Sequence, residues 1–185
     1  MSNAERLAHW ISFNAPTRPD LLTHLKLQKL AFYCFGACLA FDLGDEVGTD
    51  ITFEAWEHGP VCRPLWKAYR QYGAEPLPRP TSKPRPYTAA AEKVLHDTLD
   101  VYGLLSAWLL RQESHLERPW KVQSVTHGTL PNDDVREHFV AKFRKGPVRL
   151  PAYLVNAPSS ALDGIPAQDY GSLDRLAQVA RSLRS

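Results

Sequence analysis

The sequence has no long apolar run and few cysteines. Its 185 residues include no stretch near the roughly 20 apolar residues that a transmembrane helix needs, so no membrane partner is expected. The three cysteines, Cys34, Cys38 and Cys62, contain no CxxC pair. This spacing argues against a disulfide framework and against a structural zinc site. We expect all three to be small core residues in a reducing compartment.

An excess of one charge is also missing. Lys and Arg number 22 and Asp and Glu number 20, which gives a formal net charge of only +2. This balance by itself implies neither nucleic acid nor a membrane surface as a partner. Hydrophobic residues make up 44% and charged residues 23% of the chain, as in ordinary globular domains. The first ten residues are charged and lack the apolar core of an export signal, so we expect a cytoplasmic protein.

Recognisable catalytic motifs are absent from the sequence. It contains no GxSxG elbow, P-loop, HExxH or glycine-rich dinucleotide turn, so we predict no metal, no cofactor and no enzymatic activity. One alternative stays open, a small hydrolase in which Glu57, His58 and His115 supply acid and base groups. A second alternative is a DNA-binding autoregulator, because seven Lys and Arg residues lie between positions 118 and 149. Solvated surface cations are the more common explanation of such a segment.

Helical periodicity is what the sequence contains in abundance. The strongest pattern runs from Arg18 to Gly44, and its second half, LAFYCFGACLAF, is apolar on nearly every face. A helix that is apolar all round lies in the middle of a domain. Within it, Gly36 is expected to let another element approach closely. The sequence therefore predicts a mainly α fold, α+β with one short strand or hairpin, compact around a central apolar helix.

Shorter elements are predicted around this helix. The proline-rich residues 75–87 should form an extended loop. One domain is expected over residues 1–148, followed by a C-terminal extension, 149–185, with a short helix at 173–183. A short strand is predicted at Ile51–Trp56, ended by Gly59-Pro60. Helices are predicted at Glu5–Phe13, 64–72, 88–102 and 104–112, with Thr88 as the N-cap of the third. A short helix should follow Pro119, and a last one should run from Asn132 or Asp133 to Gly146.

Three segments resemble the signature of the Panacea antitoxin domain. LKLQKLAFYCFG resembles its leading helix, and FEAWEHGPVCRPLWKAYRQYG resembles the strand, Gly-Pro-Val turn and helix that follow. YGLLSAWLLRQESHLERPWKVQ resembles the last segment, in which a His and an acidic residue precede Pro-Trp. Their order and spacing agree over residues 5–145, and the chain is most similar to SocA-type (GepA-like) members. Ser114 stands where Thr is common, and the chain after Arg149 lies outside the pattern.

The resemblance implies a mostly helical antitoxin that neutralises a cognate protein toxin by direct binding. For SocA-type members it also implies a second mode, as an adaptor that delivers the toxin to the ClpXP protease. The matching positions are expected to be mostly structural: Leu27, Gln28, Lys29, Leu30, Trp56, His58, Gly59, Pro60, Val61, His115, Pro119 and Trp120.

On this interpretation, residues 57–60 form a structural turn and not an active site. Trp56 and Pro60 are expected to pack on the central helix, and Pro119-Trp120 to close the same region from the other side. Both His58 and His115 should be satisfied by hydrogen bonds. The toxin is then expected to contact cations outside these motifs, on the proline-rich loop and the last basic helix: Arg79, Lys83, Arg85, Arg136, Lys142 and Arg144. Nucleic acid is not expected as a partner.

Overall fold

The computed structural model describes residues 1–15 and 22–143, which contain eight α-helices and a three-stranded sheet. The mainly α prediction, with a minor β component, is therefore confirmed. The helices are α1 Asn3–Asn14, α2 His24–Ala40, α3 Gly44–Val47, α4 Arg63–Tyr69, α5 Ala89–Tyr102, α6 Ala107–Leu116, α7 Arg118–Gln123 and α8 Asn132–Phe143. The strands are β1 Phe53–Trp56, β2 Gly59–Val61 and β3 Thr129–Leu130.

Helix α2 is the predicted central helix. Every residue from Lys26 to Leu39 is buried, because α1, α5, α6, α8 and the hairpin strand β2 pack around it. The helix begins after Thr23, whose hydroxyl accepts a hydrogen bond from the backbone N–H of Lys26 at 3.3 Å. The predicted pattern began earlier, at Arg18, but residues 16–21 lie outside the described part of the chain.

Aromatic rings carried by α2 fill the core. The ring of Phe32 lies 5.3 Å from that of Phe53 on β1 and 5.4 Å from that of Phe139 on α8, both edge to face. Tyr33 stacks on Tyr102 of α5, with ring centroids 4.0 Å apart and planes 9° apart. These three partners come from three different elements, β1, α8 and α5, so the rings of α2 connect the sheet with two helices.

Gly36 has the role predicted for it. A Cβ atom at this position would lie only 2.8 Å from Cζ of Phe139 and would overlap other atoms of that ring. The missing side chain therefore allows α8 to pack closely on α2, which explains an otherwise unfavourable glycine inside a buried helix.

The sheet is antiparallel, with strand order β2-β1-β3. Trp56 pairs with Gly59, so Glu57 and His58 form a two-residue turn. Gly59-Pro60, predicted to end the strand, instead begins β2, because Gly59 has a positive φ of 92° and lets the chain reverse. Pro60 is tolerated because β2 is an edge strand of this sheet. Strand β1 is also shorter than the predicted Ile51–Trp56.

Strand β3 and helix α3 were not predicted, and several predicted helices begin or end at other residues than expected. Strand β3 has two residues and α3 has four, which is too short for a periodic pattern. The helix predicted to reach Tyr72 ends at Tyr69 and continues as a 3-10 turn, and α6 begins after Ser106 instead of at position 104. The N-cap at Thr88 is confirmed, since its hydroxyl accepts from the N–H of Ala91.

The proline-rich residues 75–87 run without helix across α1. The Arg6 guanidinium donates to the carbonyl of Pro86 at 2.7 Å, and a ring nitrogen of His9 lies 3.0 Å from the carbonyl of Ser82. The side chains of Leu77 and Tyr87 are buried, which holds the loop on the domain. No helix in the described residues is long and apolar enough to span a bilayer. The predicted boundary after 148 and the helix at 173–183 lie outside those residues.

Replacing Leu30 by Ala tests the central position of α2. Leu30 is fully buried, so Leu30→Ala should lower the free energy of unfolding by about 2–5 kcal/mol. Leu116→Ala is the matched control, because Leu116 is 57% exposed and should cost less than about 0.5 kcal/mol. Urea denaturation of both variants measures this, and similar losses at the two positions would contradict the assignment.

Candidate functional site

Gln28 of α2 ties the second signature segment to the first. Its side-chain oxygen accepts from the N–H of Cys62 at 2.8 Å, and its amide nitrogen donates to the carbonyl of Cys62 at 3.3 Å. The side chain thus satisfies both backbone groups of a residue that belongs to neither β2 nor α4. The start of α4 is thereby fixed on the central helix.

Lys29 lies beneath the hairpin and is fully buried. Its Nζ donates to the carbonyl of Pro60 at 2.8 Å, and no carboxylate pairs with it among the described residues. Burial, reinforced by the nearby Arg111 guanidinium, holds the pKa of Lys29 well below its usual range. The side chain therefore acts as a hydrogen-bond donor to the hairpin and not as half of an ion pair.

Gly59 is the point of closest approach between the hairpin and α6. A Cβ atom here would overlap Oγ of Ser114 and lie 3.0 Å from Nζ of Lys29. The Ser114 hydroxyl is itself held, since it donates to the carbonyl of Arg111 at 2.8 Å. Residues from all three signature segments therefore meet at this glycine.

Trp120 of α7 covers His115 of α6. The two rings are stacked, with centroids 4.1 Å apart and planes 9° apart, and the indole N–H donates to the carbonyl of Trp56 at 3.0 Å. His115 hydrogen-bonds the backbone of Glu57, but its Nε2 is buried without a partner in the described structure. Burial first, then the charges of Arg111 and Lys29, lower the pKa of His115. The predicted hydrogen bonding of His115 therefore holds for one nitrogen only.

Glu117, just before α7, is the centre of a second polar cluster. Its carboxylate accepts from the Tyr33 hydroxyl at 3.1 Å and contacts the His138 ring and the Lys142 ammonium of α8. Burial alone would raise the pKa of Glu117, but the His138 and Lys142 contacts outweigh it and the pKa is lowered. This ionised carboxylate fixes α8 to the α6–α7 corner.

Glu113, one turn earlier on α6, has no such compensation. It is 3% exposed, and its Oε1 is buried without a hydrogen-bond partner within the described chain, as is the Tyr102 hydroxyl. Burial raises the pKa of Glu113 to about 7, because the opposing charge of Lys142 is too weak to offset it. A neutral carboxyl group is thus favoured over a wide pH range.

The outer face of the sheet corrects the prediction for Trp56. Phe53, not Trp56, packs on α2, because side chains alternate along β1 and only Phe53 and Ala55 face inward. Trp56 is half-buried against Trp66 of α4, with ring centroids 5.3 Å apart, and donates to Glu54 at 2.8 Å. Trp56, Glu54 and Arg63 line an open pocket on the outer face of the hairpin.

The hydrolase alternative does not assemble in this arrangement. Glu57 and His58 are exposed at the turn, and the Glu57 carboxylate has no hydrogen bond to either histidine. His58 instead accepts a hydrogen bond from Nε of Arg111 at 3.3 Å. Among the described residues, no three His, Cys, Asp or Glu side chains are grouped so that they could hold a metal ion. All three cysteines are free and buried, as predicted.

The candidate partner-binding cations differ in availability. Lys142 is not a surface cation, because Glu117 binds its ammonium group and the rings of Tyr33 and Phe139 lie beneath it. This pairing leaves Lys142 less available to a partner than an exposed cation, and its contact with the toxin stays a prediction. The other described candidates lie at the surface: Arg79, Lys83, Arg85 and Arg136. Of these, Arg136 pairs with Asp42, and Arg79 contacts the backbone of Ala15. Arg144 lies outside the described residues.

Several residues of the site were not singled out from the sequence. They are Arg111, which contacts His58 of the hairpin, and Glu113 and His138, which lie where the α6–α7 corner meets α8. A partial signal was present, since Glu113 and Glu117 are four apart and therefore lie on one side of the α6–α7 corner. Comparisons of the chain with protein-family models, with curated proteins and with solved structures found no significant match.

Replacing Gly59 by Ala tests the close approach of the hairpin. The positive φ and the overlap with Ser114 should together cost at least about 2 kcal/mol of unfolding free energy. Gly73→Ala is the matched control, because Gly73 also has a positive φ but nothing lies within 4 Å of its Cβ position. Only backbone strain of about 1 kcal/mol is expected there. Equal losses in thermal or urea denaturation would show that the contact with Ser114 and Lys29 has no effect.

Replacing Glu113 by Gln tests the buried carboxyl group. The folded protein keeps the proton up to about pH 7 while the unfolded chain releases it near 4.5, so this group destabilises the fold increasingly as pH rises through that window. The free energy of unfolding of Glu113→Gln should therefore rise relative to that of the wild type, by up to about 3 kcal/mol, between pH 5 and pH 8. Urea denaturation at both pH values measures the difference. Glu57→Gln, at an exposed carboxylate, is the control. If the difference in unfolding free energy between Glu113→Gln and the wild type stayed constant with pH, the assignment would be contradicted.

Proposed function

We propose that this chain is the antitoxin of a bacterial toxin–antitoxin system and neutralises its cognate protein toxin by direct binding. One observation carries the proposal: the titratable groups at the centre of the signature, Lys29, His115, Glu113 and Glu117, are covered, while the exposed side chains of Glu57 and His58 at the turn are not joined to them. Lys29 is 0%, Glu113 3% and Glu117 4% exposed, and the ring of Trp120 lies over His115. Catalytic groups need access to a substrate, whereas buried, hydrogen-bonded groups build a scaffold.

The contacts between signature residues support the same conclusion. Gln28 and Lys29 bond the hairpin, Gly59 touches α6, and Trp120 bonds the carbonyl of Trp56. Polar groups of each segment thus form hydrogen bonds or close contacts with another segment. A signature of this kind specifies a folding unit, which leaves the outer surface to determine the partner.

The charges of the basic segment favour a protein over DNA as the partner. Arg118 lies 3.7 Å from Glu137, Arg136 pairs with Asp42 and Lys142 binds Glu117. Cations that already have carboxylate partners are poorly available to phosphates, and DNA binding depends on several such contacts. The autoregulator alternative therefore has less support than a protein-binding role.

Two modes of neutralisation are compatible with this proposal. In the first, the antitoxin blocks the toxin, for which an interface of about 1,200–2,000 Å² is the usual size. In the second, the chain is an adaptor that delivers the toxin to ClpXP, so part of its surface stays free for the protease. The two modes differ in whether neutralisation depends on the protease.

Co-expression with the product of the neighbouring gene tests the proposal. We expect that product to be toxic alone, to co-purify with this chain and to be neutralised by it. Deleting the protease separates the modes: blocking persists without it, and delivery for degradation does not. Glu57→Gln, which removes the exposed carboxylate of the hydrolase alternative, should neutralise as well as the wild type. A neighbour that is not toxic or does not bind, or loss of neutralisation in this variant, would contradict the proposal.

A further inference from the structure

The outer face of α6 exposes apolar side chains that the core does not use. Trp108, Arg111 and His115 recur at spacings of three and four, which places them on one side of the helix, and Leu116 follows His115 as the last residue of the helix. Trp108 is 42% and Leu116 57% exposed, although both are large apolar residues. The opposite side of the helix, with Leu110, carries the buried residues. This outer face therefore has apolar residues at both ends and a cation between them.

Arg111, in the middle of this face, has no acidic partner among the described residues. Its guanidinium lies 5.8 Å over the ring of Trp108, while Nε donates to Nδ1 of His58 and Nη1 donates to Oε1 of Gln112. By contrast, Arg63 and Arg136 each pair with a carboxylate. A guanidinium without a carboxylate partner keeps its charge available to an incoming carboxylate.

The groups behind Arg111 are also basic. Nε2 of His115 is buried without a partner in the described structure, and fully buried Lys29 bonds only the carbonyl of Pro60. The pKa of Lys29 and the pKa of His115 are both lowered, first by burial and then by Arg111. Among the described residues no acidic side chain opposes these effects, although the backbone of Glu57 partly offsets them for His115, since Glu113 and Glu117 interact with Lys142 and His138 instead. Three basic side chains, Lys29, Arg111 and His115, thus lie together where the hairpin meets α6, and no carboxylate of the described residues is paired with them.

We propose that this face is an anchor for the protein partner, in which Arg111 binds a carboxylate of the partner and Trp108 and Leu116 pack against apolar side chains beside it. The inference rests on the proposed function and names the partner's chemistry, an acidic residue within an apolar segment. Trp and Arg are the residues that most often dominate binding energy at protein interfaces. A guanidinium matches the planar carboxylate with two parallel hydrogen bonds.

Nucleic acid is a poorer fit to this face than a protein segment. Phosphate backbones are bound by several Lys and Arg residues together, and this face carries one guanidinium, the half-buried Arg111, between two exposed apolar side chains. The apolar ends would be left in water by a nucleic acid, whereas leucine-like side chains of a protein partner would cover them.

A pair of peptides tests the carboxylate preference on the full chain. Acetyl-Leu-Glu-Leu-amide should bind at least fivefold more tightly than acetyl-Leu-Gln-Leu-amide, with NMR shifts at the Trp108 indole and the Arg111 Nε. Arg111→Gln should remove the preference, while Lys93→Gln, at a 74% exposed cation on α5, should keep it. Equal binding of the two peptides, binding of neither, or a preference that survives Arg111→Gln would overturn the inference.

Acetate distinguishes a docking anchor from a site for a small free anion. The glutamate peptide should bind more tightly than acetate, and Trp108→Ala should reduce that difference because the flanking leucines lose their contact. Acetate that binds as tightly as the peptide would overturn the inference. Thermal denaturation of each variant checks the fold, and a variant that does not fold is replaced by Arg111→Lys or Trp108→Leu.

The neighbouring gene product provides the test at a full interface. Arg111→Gln and Trp108→Ala should each weaken its binding at least tenfold, and Lys93→Gln should change it less than twofold. Unchanged binding by both variants overturns the anchor while the proposed function stands. If the product does not bind the wild-type chain at all, the proposed function fails instead. The peptide titration alone then tests whether Arg111 binds a carboxylate.

Discussion

The burial of α2 from Lys26 to Leu39 is the constraint on which the rest of the structure depends. A helix surrounded on all sides gives its polar side chains no access to water, so each of them needs an internal partner. Gln28 and Lys29 find theirs in the backbone of Cys62 and Pro60. These bonds fix the hairpin against the helix, and the hairpin in turn touches α6 at Gly59 and is covered by Trp120. The contacts that the signature residues make thus follow from the burial of this one helix.

Charge is distributed unevenly around this helix. On the side of α8, Glu117 is compensated by His138 and Lys142, while Glu113 lies beside it without a partner for one of its oxygens. Where the hairpin meets α6, the unpaired groups are basic. The fold therefore separates its buried carboxylates from its unpaired basic groups, although the whole chain has a formal net charge of only +2. Net charge alone conceals this separation, because it sums groups that face different elements.

The central helix, the Thr88 cap and the need for a small residue at Gly36 could all be predicted, because each depends on local pattern or on one dominant packing constraint. Trp56 could not be assigned to its face, since an error of one residue in the register of a short strand reverses the side of every side chain. The pairing of Lys142 could not be predicted for a related reason. A lysine on an amphipathic helix is normally solvated, and only the buried carboxylate of Glu117, from a distant part of the chain, holds it inside.

The sequence by itself determined the class of the fold and the segments that build its centre, because hydrophobic periodicity, caps and breakers act over a few residues. Only the tertiary structure decided which titratable groups are covered, which are paired and which face outward. Those properties depend on contacts between residues far apart in the chain, such as Tyr33 with Glu117 or His58 with Arg111. The burial that covers His115 and the orientation that exposes Trp108 therefore arise when α2, the hairpin and α6 pack together.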